Sequence, residues 1–230
     1  MHRYVIAPAI IAQEWDDLVS QIEKVANVAS DIHVDVMDGH LVPSFSFPYN
    51  KTILEGQKLP HLDTVCYEAH LMVQHPQEVG LRFINAGASR VTAQIKGFRA
   101  GEALRVCSEW RDAGAKVGIS LMLDAPLESI AELVESGVVD LLQVMSIKRV
   151  GYQHEPFDER AFIRIRTLRE RYPDVTLAVD GGVKAENLKP LRDAGIDRFC
   201  IGSAIMKTND PVQSYKQLQG LLDSYVQGRL

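Results

Sequence analysis

His33 and Asp35 are a pair of residues whose types and spacing suggest chemistry. They lie two positions apart in a run with the alternation of a β-strand, so both side chains share one face with Met37. Val34 and Val36 share the other face. An imidazole and a carboxylate on one face can bind a metal ion. The same pair is also common as a hydrogen-bonded pair in a protein core, so its meaning depends on partners elsewhere in the chain.

The elements that must carry such partners alternate between short apolar, β-rich runs and longer helical patterns. This alternation is typical of βα units and a parallel sheet. Strands are predicted at residues 4–7, 32–37, 65–72, 90–94, 116–121, 141–145, 176–180 and 198–201, and helices at 15–25, 77–86, 102–113, 127–136, 159–171, 185–194 and 212–226.

Eight such strands in 230 residues predict an α/β fold, a (β/α)₈ TIM barrel, which typically needs ~250 residues. A doubly wound open sheet is the alternative, but the first βα turn lacks the G-x-G-x-x-G fingerprint. The sequence contains no linker and no low-complexity segment. We therefore expect a single barrel domain over residues 1–230.

Four candidate metal ligands fall on strands whose carboxyl ends would meet at one rim of this barrel. His33 and Asp35 come from the second strand, His70 from the third and Asp180 from the seventh. Active-site groups of such barrels lie at the carboxyl ends of the strands and on the loops that follow. Two imidazoles and two carboxylates suit Zn²⁺, Mn²⁺, Fe²⁺ or Co²⁺, since nitrogen and oxygen donors do not select sharply among these ions.

The composition excludes several other classes of protein. The chain is 46% hydrophobic and 24% charged, with a net charge of −5 and no basic run, which argues against a nucleic-acid-binding surface. Its three cysteines are widely spaced, which indicates neither a disulfide framework nor a cysteine zinc site and favours a reducing compartment. No signal peptide and no apolar stretch of about eighteen residues is found, so we expect no membrane association and a cytoplasmic location.

A set of motifs in a fixed order resembles the ribulose-phosphate 3-epimerase family. The motifs run from near residue 5 to near residue 206 and cover most of the chain. They are residues 6–8 (IAP), 33–39 (HVDVMDG), 42–43 (VP), 70–73 (HLMV), Pro76, 144–146 (VMS), 179–183 (VDGGV), Asn187, 194–195 (AG) and 201–205 (IGSAI).

The resemblance implies an isomerase of carbohydrate metabolism that inverts C3 of a ketose phosphate, converting D-ribulose 5-phosphate to D-xylulose 5-phosphate through an enediolate. It implies one divalent cation (Zn, Mn, Fe or Co) held by His33, Asp35, His70 and Asp180. It also implies that Asp35 and Asp180 are the catalytic acid/bases, one ionised and one protonated. A phosphorylated sugar and further copies of the chain, in a homo-oligomer, are the partners it implies.

Substrate-binding positions follow from the same resemblance. Three methionines at strand ends are expected to line the reacting centre, although core filling is an equally good interpretation of their type. Glycines after strands seven and eight are expected to bind the phosphate, because their backbone can approach an anion closely. The predicted positions are Met37, Met72, Met145, Gly151, Gly181, Gly182, Gly202 and Ser203.

Three departures from the family pattern concern the substrate. Ala9 stands where a serine is usual, and Met122 stands where an asparagine is common. The loop at residues 147–157 replaces the usual Pro-Gly-Phe-Gly-Gly-Gln and keeps only Gly151 and an aromatic residue at 152. Charge from Lys148, Arg149 or His154 can take the place of the lost backbone donors.

These departures leave two alternative functions open. One is 3-epimerisation of another sugar phosphate, such as a six-carbon ketose 6-phosphate. The other is a non-catalytic barrel that binds a sugar phosphate. A related group of barrels performs decarboxylation or aldol chemistry with an Asp-x-Lys-x-x-Asp motif, but position 37 is Met where that motif has Lys.

Overall fold

Eight parallel strands close into a barrel, in the order of the chain, with β8 pairing back onto β1. This computed structural model describes residues 4–50, 54–151 and 155–227. The strands are β1 (Val5–Ile10), β2 (Asp31–Met37), β3 (Cys66–Met72), β4 (Arg90–Gln94), β5 (Lys116–Leu121), β6 (Leu141–Met145), β7 (Thr176–Asp180) and β8 (Arg198–Ile201). The predicted (β/α)₈ barrel is thereby confirmed, whereas its extent as one domain over residues 1–230 remains a prediction.

Helices follow most of the strands and cover the outside of the barrel. They are α1 (Trp15–Glu23), α2 (Gln77–Asn85), α3 (Ala103–Asp112), α4 (Glu128–Glu135), α5 (Arg160–Arg171), α6 (Ala185–Ala194), α7 (Ser203–Met206) and α8 (Pro211–Gln227). A 3₁₀ turn at Ile95–Gly97 and the four-residue α7 were missed by the sequence patterns, because both are too short to show a period. None of the helices in the described ranges has the length and apolar character needed to cross a membrane.

The first strand is longer than predicted. The pattern placed its end at residue 7, before Pro8, but β1 continues to Ile10. The strand continues because both of its neighbours pair with it beyond residue 7. On one side Pro8 pairs with Ile201 of β8, and on the other side Ala9 and Ile10 pair with β2.

Side chains alternate along the strands between an apolar outer face and a polar interior. On β2, Val34 and Val36 belong to the same apolar cluster as Ile22 of α1, while His33 and Asp35 point into the barrel. Such interiors are usually filled by branched apolar residues. Here the buried polar residues on the strands are His33, Asp35, Glu68, His70, Thr92, Gln94, Ser120, Gln143, Asp180 and Arg198. Burying so many polar groups is costly unless they are paired, which indicates a functional interior.

Candidate active site

The four predicted ligands come together at the carboxyl ends of β2, β3 and β7. One donor atom from each of His33, Asp35, His70 and Asp180 lies within 4.8 Å of the other three. The strand register explains the grouping, because Asp35 pairs directly with His70 on the neighbouring strand and Asp180 is the last residue of β7. All four residues are buried.

Both carboxylates face the same nitrogen of each imidazole. Asp35 Oδ1 lies 2.9 Å from His70 Nδ1 and 3.3 Å from His33 Nε2. Asp180 Oδ2 lies 3.4 Å from His70 Nδ1 and 4.0 Å from His33 Nε2. His33 Nε2 is buried and makes no hydrogen bond within the described residues. A buried nitrogen without a hydrogen bond, aimed at two carboxylates, fits a cation ligand.

The two aspartates have opposite pKa shifts. Burial alone would raise the pKa of Asp35, but the close contacts with His33 and His70 and the charge of these imidazoles outweigh it and hold that pKa below its usual range. Burial raises the pKa of Asp180 to about 6, and the charge of Asp35 adds to the effect. Paired carboxyls that differ in this way are typical of acid/base sites.

The second ring nitrogen of each imidazole faces away from the candidate metal centre and contacts polar groups deeper in the barrel. His70 Nε2 lies 3.2 Å from the amide nitrogen of Gln143 and 3.3 Å from that of Gln94. His33 Nδ1 lies 3.3 Å from Cys200 Sγ and 3.6 Å from Glu68 Oε2. The two amide nitrogens are donors, so His70 Nε2 accepts from them and the ring proton of His70 lies on Nδ1, facing Asp35 Oδ1.

Sequence reasoning missed these four supporting residues. Each lies on a strand of the barrel, where a single polar residue forms no motif: Glu68, Gln143 and Cys200 within their strands and Gln94 at the end of β4. The signal that could have found them is a polar residue at an inward position of an otherwise apolar strand: Glu68 on β3, Gln94 on β4, Gln143 on β6 and Cys200 on β8.

A cavity of about 1150 Å³ opens above the four ligands. Asp35 and Asp180 form part of its lining, together with all eight predicted substrate-binding positions: Met37, Met72, Met145, Gly151, Gly181, Gly182, Gly202 and Ser203. The structure therefore places the substrate-binding positions predicted from the sequence around one cavity. Whether each binds substrate stays a prediction.

The apolar part of the lining lies next to the aspartates. Met37 and Met72 pack with Val42, and Ile11 and Val150 cover this group. These side chains come from strand ends and from loops at the barrel mouth. An apolar cover over buried carboxyls reduces the access of water to them.

Glycines shape another part of the lining. Gly181 and Gly182 have φ angles of 107° and 66°, a region that other residues rarely adopt. A Cβ at Gly182 would lie 2.8 Å from the backbone nitrogen of Phe157. The loop that follows β6 therefore packs directly on the loop that follows β7.

The charges proposed for the sixth loop are placed differently from the expectation. Lys148 and Arg149 are exposed and do not line the cavity, and Arg149 Nη2 lies 2.5 Å from Glu155 Oε1. His154 lies outside the described residues. The lysines that do line the cavity are Lys184 and Lys207, which the sequence patterns did not single out.

Ser46 fixes the end of β2 that carries Asp35 and Met37. Its buried hydroxyl donates to the Asp35 carbonyl at 2.9 Å and accepts the Met37 N–H at 2.9 Å. Replacing Ser46 by Ala is expected to lower the free energy of unfolding by about 1–3 kcal/mol, because the buried Met37 N–H would lose this partner. Urea denaturation measures the change.

The matched control is Ser224→Ala on the exposed side of α8, where the hydroxyl donates to the Leu221 carbonyl. We expect a change below about 0.5 kcal/mol there, as is usual for surface substitutions. Equal effects in both variants would contradict the role of Ser46.

Comparison with known proteins identifies one family. The family model described as the ribulose-phosphate 3 epimerase family matches residues 5–206. A protein of Aquifex aeolicus (strain VF5) named ribulose-phosphate 3-epimerase is 30% identical over 230 residues, covering 96% of this chain and 98% of its own length. A protein of the same name from Buchnera aphidicola is 31% identical over 212 residues, or 90% of each chain.

Solved structures share the barrel at lower identity. The 3-hexulose-6-phosphate synthase of Salmonella typhimurium has a TM-score of 0.69 at 16% identity, covering 96% of this chain and 99% of its own. The KGPDC of Streptococcus mutans has a TM-score of 0.69 at 12% identity, covering 96% of this chain and 98% of its own. At these identities the likeness concerns the fold alone.

Proposed function

The chain belongs to the ribulose-phosphate 3-epimerase family, and we propose that it inverts C3 of a ketose phosphate, converting D-ribulose 5-phosphate to D-xylulose 5-phosphate. The observation that carries the proposal is the pairing of Asp35 from β2 with Asp180 from β7 around two buried imidazoles. Inversion requires one group that removes a proton from one face of C3 and a second group that delivers a proton to the other face.

A divalent metal fits the donor atoms of this site. Asp35, Asp180, His33 through Nε2 and His70 through Nδ1 would hold it, and the unbonded His33 Nε2 supports this assignment. When bound, such a cation would supply Lewis-acid stabilisation for the negative charge that develops in the enediolate. Zn²⁺, Mn²⁺, Fe²⁺ and Co²⁺ all suit two imidazoles and two carboxylates.

The two aspartates move the proton. The C3 proton is acidic because it is α to the C2 carbonyl, so an ionised carboxylate can remove it. The opposite pKa shifts make Asp180 the more readily protonated of the two carboxyls and Asp35 the more readily ionised. Their roles exchange when the reaction runs in reverse.

The remaining lining residues bind and shield the substrate. Met37, Met72 and Met145 would exclude water from the enediolate and so limit its loss to side reactions. The phosphate would lie at the loops after β7 and β8, where glycines at Gly181, Gly182 and Gly202 leave backbone N–H groups accessible.

Metal content gives a direct test that is independent of turnover. We expect about one divalent metal ion per purified chain, removable by a chelator together with the activity. Replacing His70 by Ala is expected to weaken metal binding by more than the ~10–100-fold that loss of an outer-shell partner costs. Elemental analysis and competition with a chromophoric chelator measure both quantities.

His61→Ala is the matched control, because His61 is an exposed histidine paired with Glu23 on the surface. It should bind the metal as the natural chain does. A natural chain that binds no divalent metal, or a His70→Ala variant that binds it equally well, would rule out the proposed metal site.

A six-carbon ketose 6-phosphate is the second candidate substrate. Ala9 lines the cavity without a hydroxyl, and the cavity of about 1150 Å³ leaves room for a longer sugar. A panel of five- and six-carbon ketose phosphates, assayed by loss of the C3 proton signal in D₂O, separates the two candidates. Phosphate-dependent stabilisation without C3–H exchange on any member of the panel would instead indicate a non-catalytic binding protein.

A further inference from the structure

The second ring nitrogen of His33 points away from the candidate metal centre and into the lower part of the barrel. Two groups lie near His33 Nδ1: Cys200 Sγ at 3.3 Å and Glu68 Oε2 at 3.6 Å. All three side chains are buried. If Nε2 binds a metal, Nδ1 carries the ring proton, and this N–H needs an acceptor.

The two neighbours differ in their strength as acceptors. Cys200 offers a thiol sulfur, which is a weak acceptor. The Glu68 carboxylate lies beside two guanidinium groups, with Oε2 2.8 Å from Arg198 Nε and 3.6 Å from Arg90 Nη1. An ionised carboxylate is the stronger partner of an imidazole N–H.

The position of the Glu68 carboxylate is fixed from the other side. Thr92 Oγ1 donates to Glu68 Oε1 at 2.6 Å, and Arg198 Nε donates to Glu68 Oε2 at 2.8 Å. Arg198 Nη1 also donates to Asp31 Oδ1 at 2.6 Å. We call Asp31, Glu68 and Arg198 the buried ion network. Because β3 and β8 are not neighbours in the closed barrel, its Glu68–Arg198 contact crosses the interior.

We propose that Glu68 is a positioning residue for His33, which holds the ring proton on Nδ1 and keeps Nε2 free to bind the metal. This inference rests on the proposed function of the site. Glu68 does not line the substrate cavity and is not one of the four candidate ligands; it groups with His33 and Cys200 on the other side of the His33 ring, so it acts through His33. Loss of such a partner typically weakens metal binding by ~10–100-fold.

Glu68→Gln and Cys200→Ala form a matched pair of variants, since each removes one of the two groups near His33 Nδ1. The probe is Co²⁺ added to the metal-depleted full chain, with affinity measured by chelator competition and the ligand field recorded by visible absorption. We expect Glu68→Gln to weaken Co²⁺ binding by ~10–100-fold. Cys200→Ala should stay within about threefold of the natural chain, because a thiol is a weak acceptor.

A purely structural role of Glu68 would lower the unfolding free energy without changing Co²⁺ affinity in the folded state. Unfolding curves of the metal-depleted variants are therefore recorded alongside. If Glu68→Gln does not fold, Glu68→Leu combined with Arg198→Met removes both charges together and should show the same loss of affinity. Unchanged Co²⁺ affinity in either folded variant would overturn the proposal.

The outcomes also separate this inference from the proposed function. If the natural chain binds no Co²⁺, the metal site fails and the role of Glu68 fails with it. If the natural chain and Glu68→Gln bind Co²⁺ equally, only the role of Glu68 fails. A loss of affinity in Cys200→Ala but not in Glu68→Gln would assign the positioning role to the thiol.

Discussion

Replacing either Asp35 or Asp180 by Asn is expected to lower the rate of C3 inversion by about 10²–10⁴-fold. An amide has nearly the volume of the carboxyl group, so the fold is kept, but it neither accepts nor delivers the C3 proton at a useful rate. Both variants should fail because inversion uses one proton-transfer group on each face of C3, and no other carboxyl among the described residues belongs to this cluster of ligands. Interconversion of the two epimers and deuterium uptake at C3 in D₂O, followed by NMR, measure the loss.

The experiment also separates proton transfer from metal binding. Both aspartates are candidate metal ligands, so each variant is assayed at saturating divalent metal and its metal content is recorded. A fully loaded variant that remains inactive supports the acid/base role. Asp63→Asn, at an exposed aspartate before β3, is the matched control and should retain the rate of the natural chain. Unimpaired deuterium uptake in both Asp35→Asn and Asp180→Asn would refute the proposed mechanism.

The grouping of the four candidate ligands at the rim of the barrel could be predicted, because two local rules are sufficient for it. Alternation within β2 places His33 and Asp35 on one face, and the carboxyl ends of parallel strands meet at one end of a barrel. His70 and Asp180 then fall beside them, as the structure confirms by bringing all four donor groups within 4.8 Å of one another. The family membership predicted from the motifs is confirmed as well.

The supporting residues could not be predicted, because their partners are distant in the sequence. Glu68 and Arg198 are 130 positions apart, and Gln143 and His70 are 73 positions apart. Which inward side chains touch depends on the stagger of the strands around the closed barrel, and no local pattern encodes it. A polar residue within an apolar strand is visible in the sequence, but its contact is not.

The residues that the loops contribute to the cavity at the barrel mouth could not be predicted either, for a different reason. The altered loop at residues 147–157 suggested that its basic residues replace lost phosphate donors, yet Arg149 is paired with Glu155 and lies outside the cavity lining. A charged loop residue can pair with any of several groups nearby, and here Arg149 pairs with Glu155, whose side chain is 10% exposed. The residues that line a loop-built cavity therefore follow from three-dimensional packing and not from residue type.

Replacing Arg198 by Met is expected to lower the free energy of unfolding by about 3–5 kcal/mol, because it leaves the buried Glu68 carboxylate without its main counter-charge. Both side chains are almost fully buried, at 4% and 0% exposure. Chemical denaturation of the metal-depleted protein measures the loss. Arg105→Met is the matched control: Arg105 also contacts two carboxylates, but its side chain is 58% exposed, so we expect less than about 1 kcal/mol.

Adding Glu68→Leu to Arg198→Met should recover most of the lost stability, because two buried charges are then replaced by apolar side chains of similar size. Asp31 keeps partial contact with water, at 18% exposure. The double variant therefore separates two roles of the buried ion network. Stability should return while Co²⁺ affinity stays low, since His33 Nδ1 still lacks its carboxylate. An Arg198→Met variant no less stable than Arg105→Met would contradict the stabilising role of Arg198. Full Co²⁺ affinity in the double variant would show that the buried ion network stabilises the fold but does not position His33.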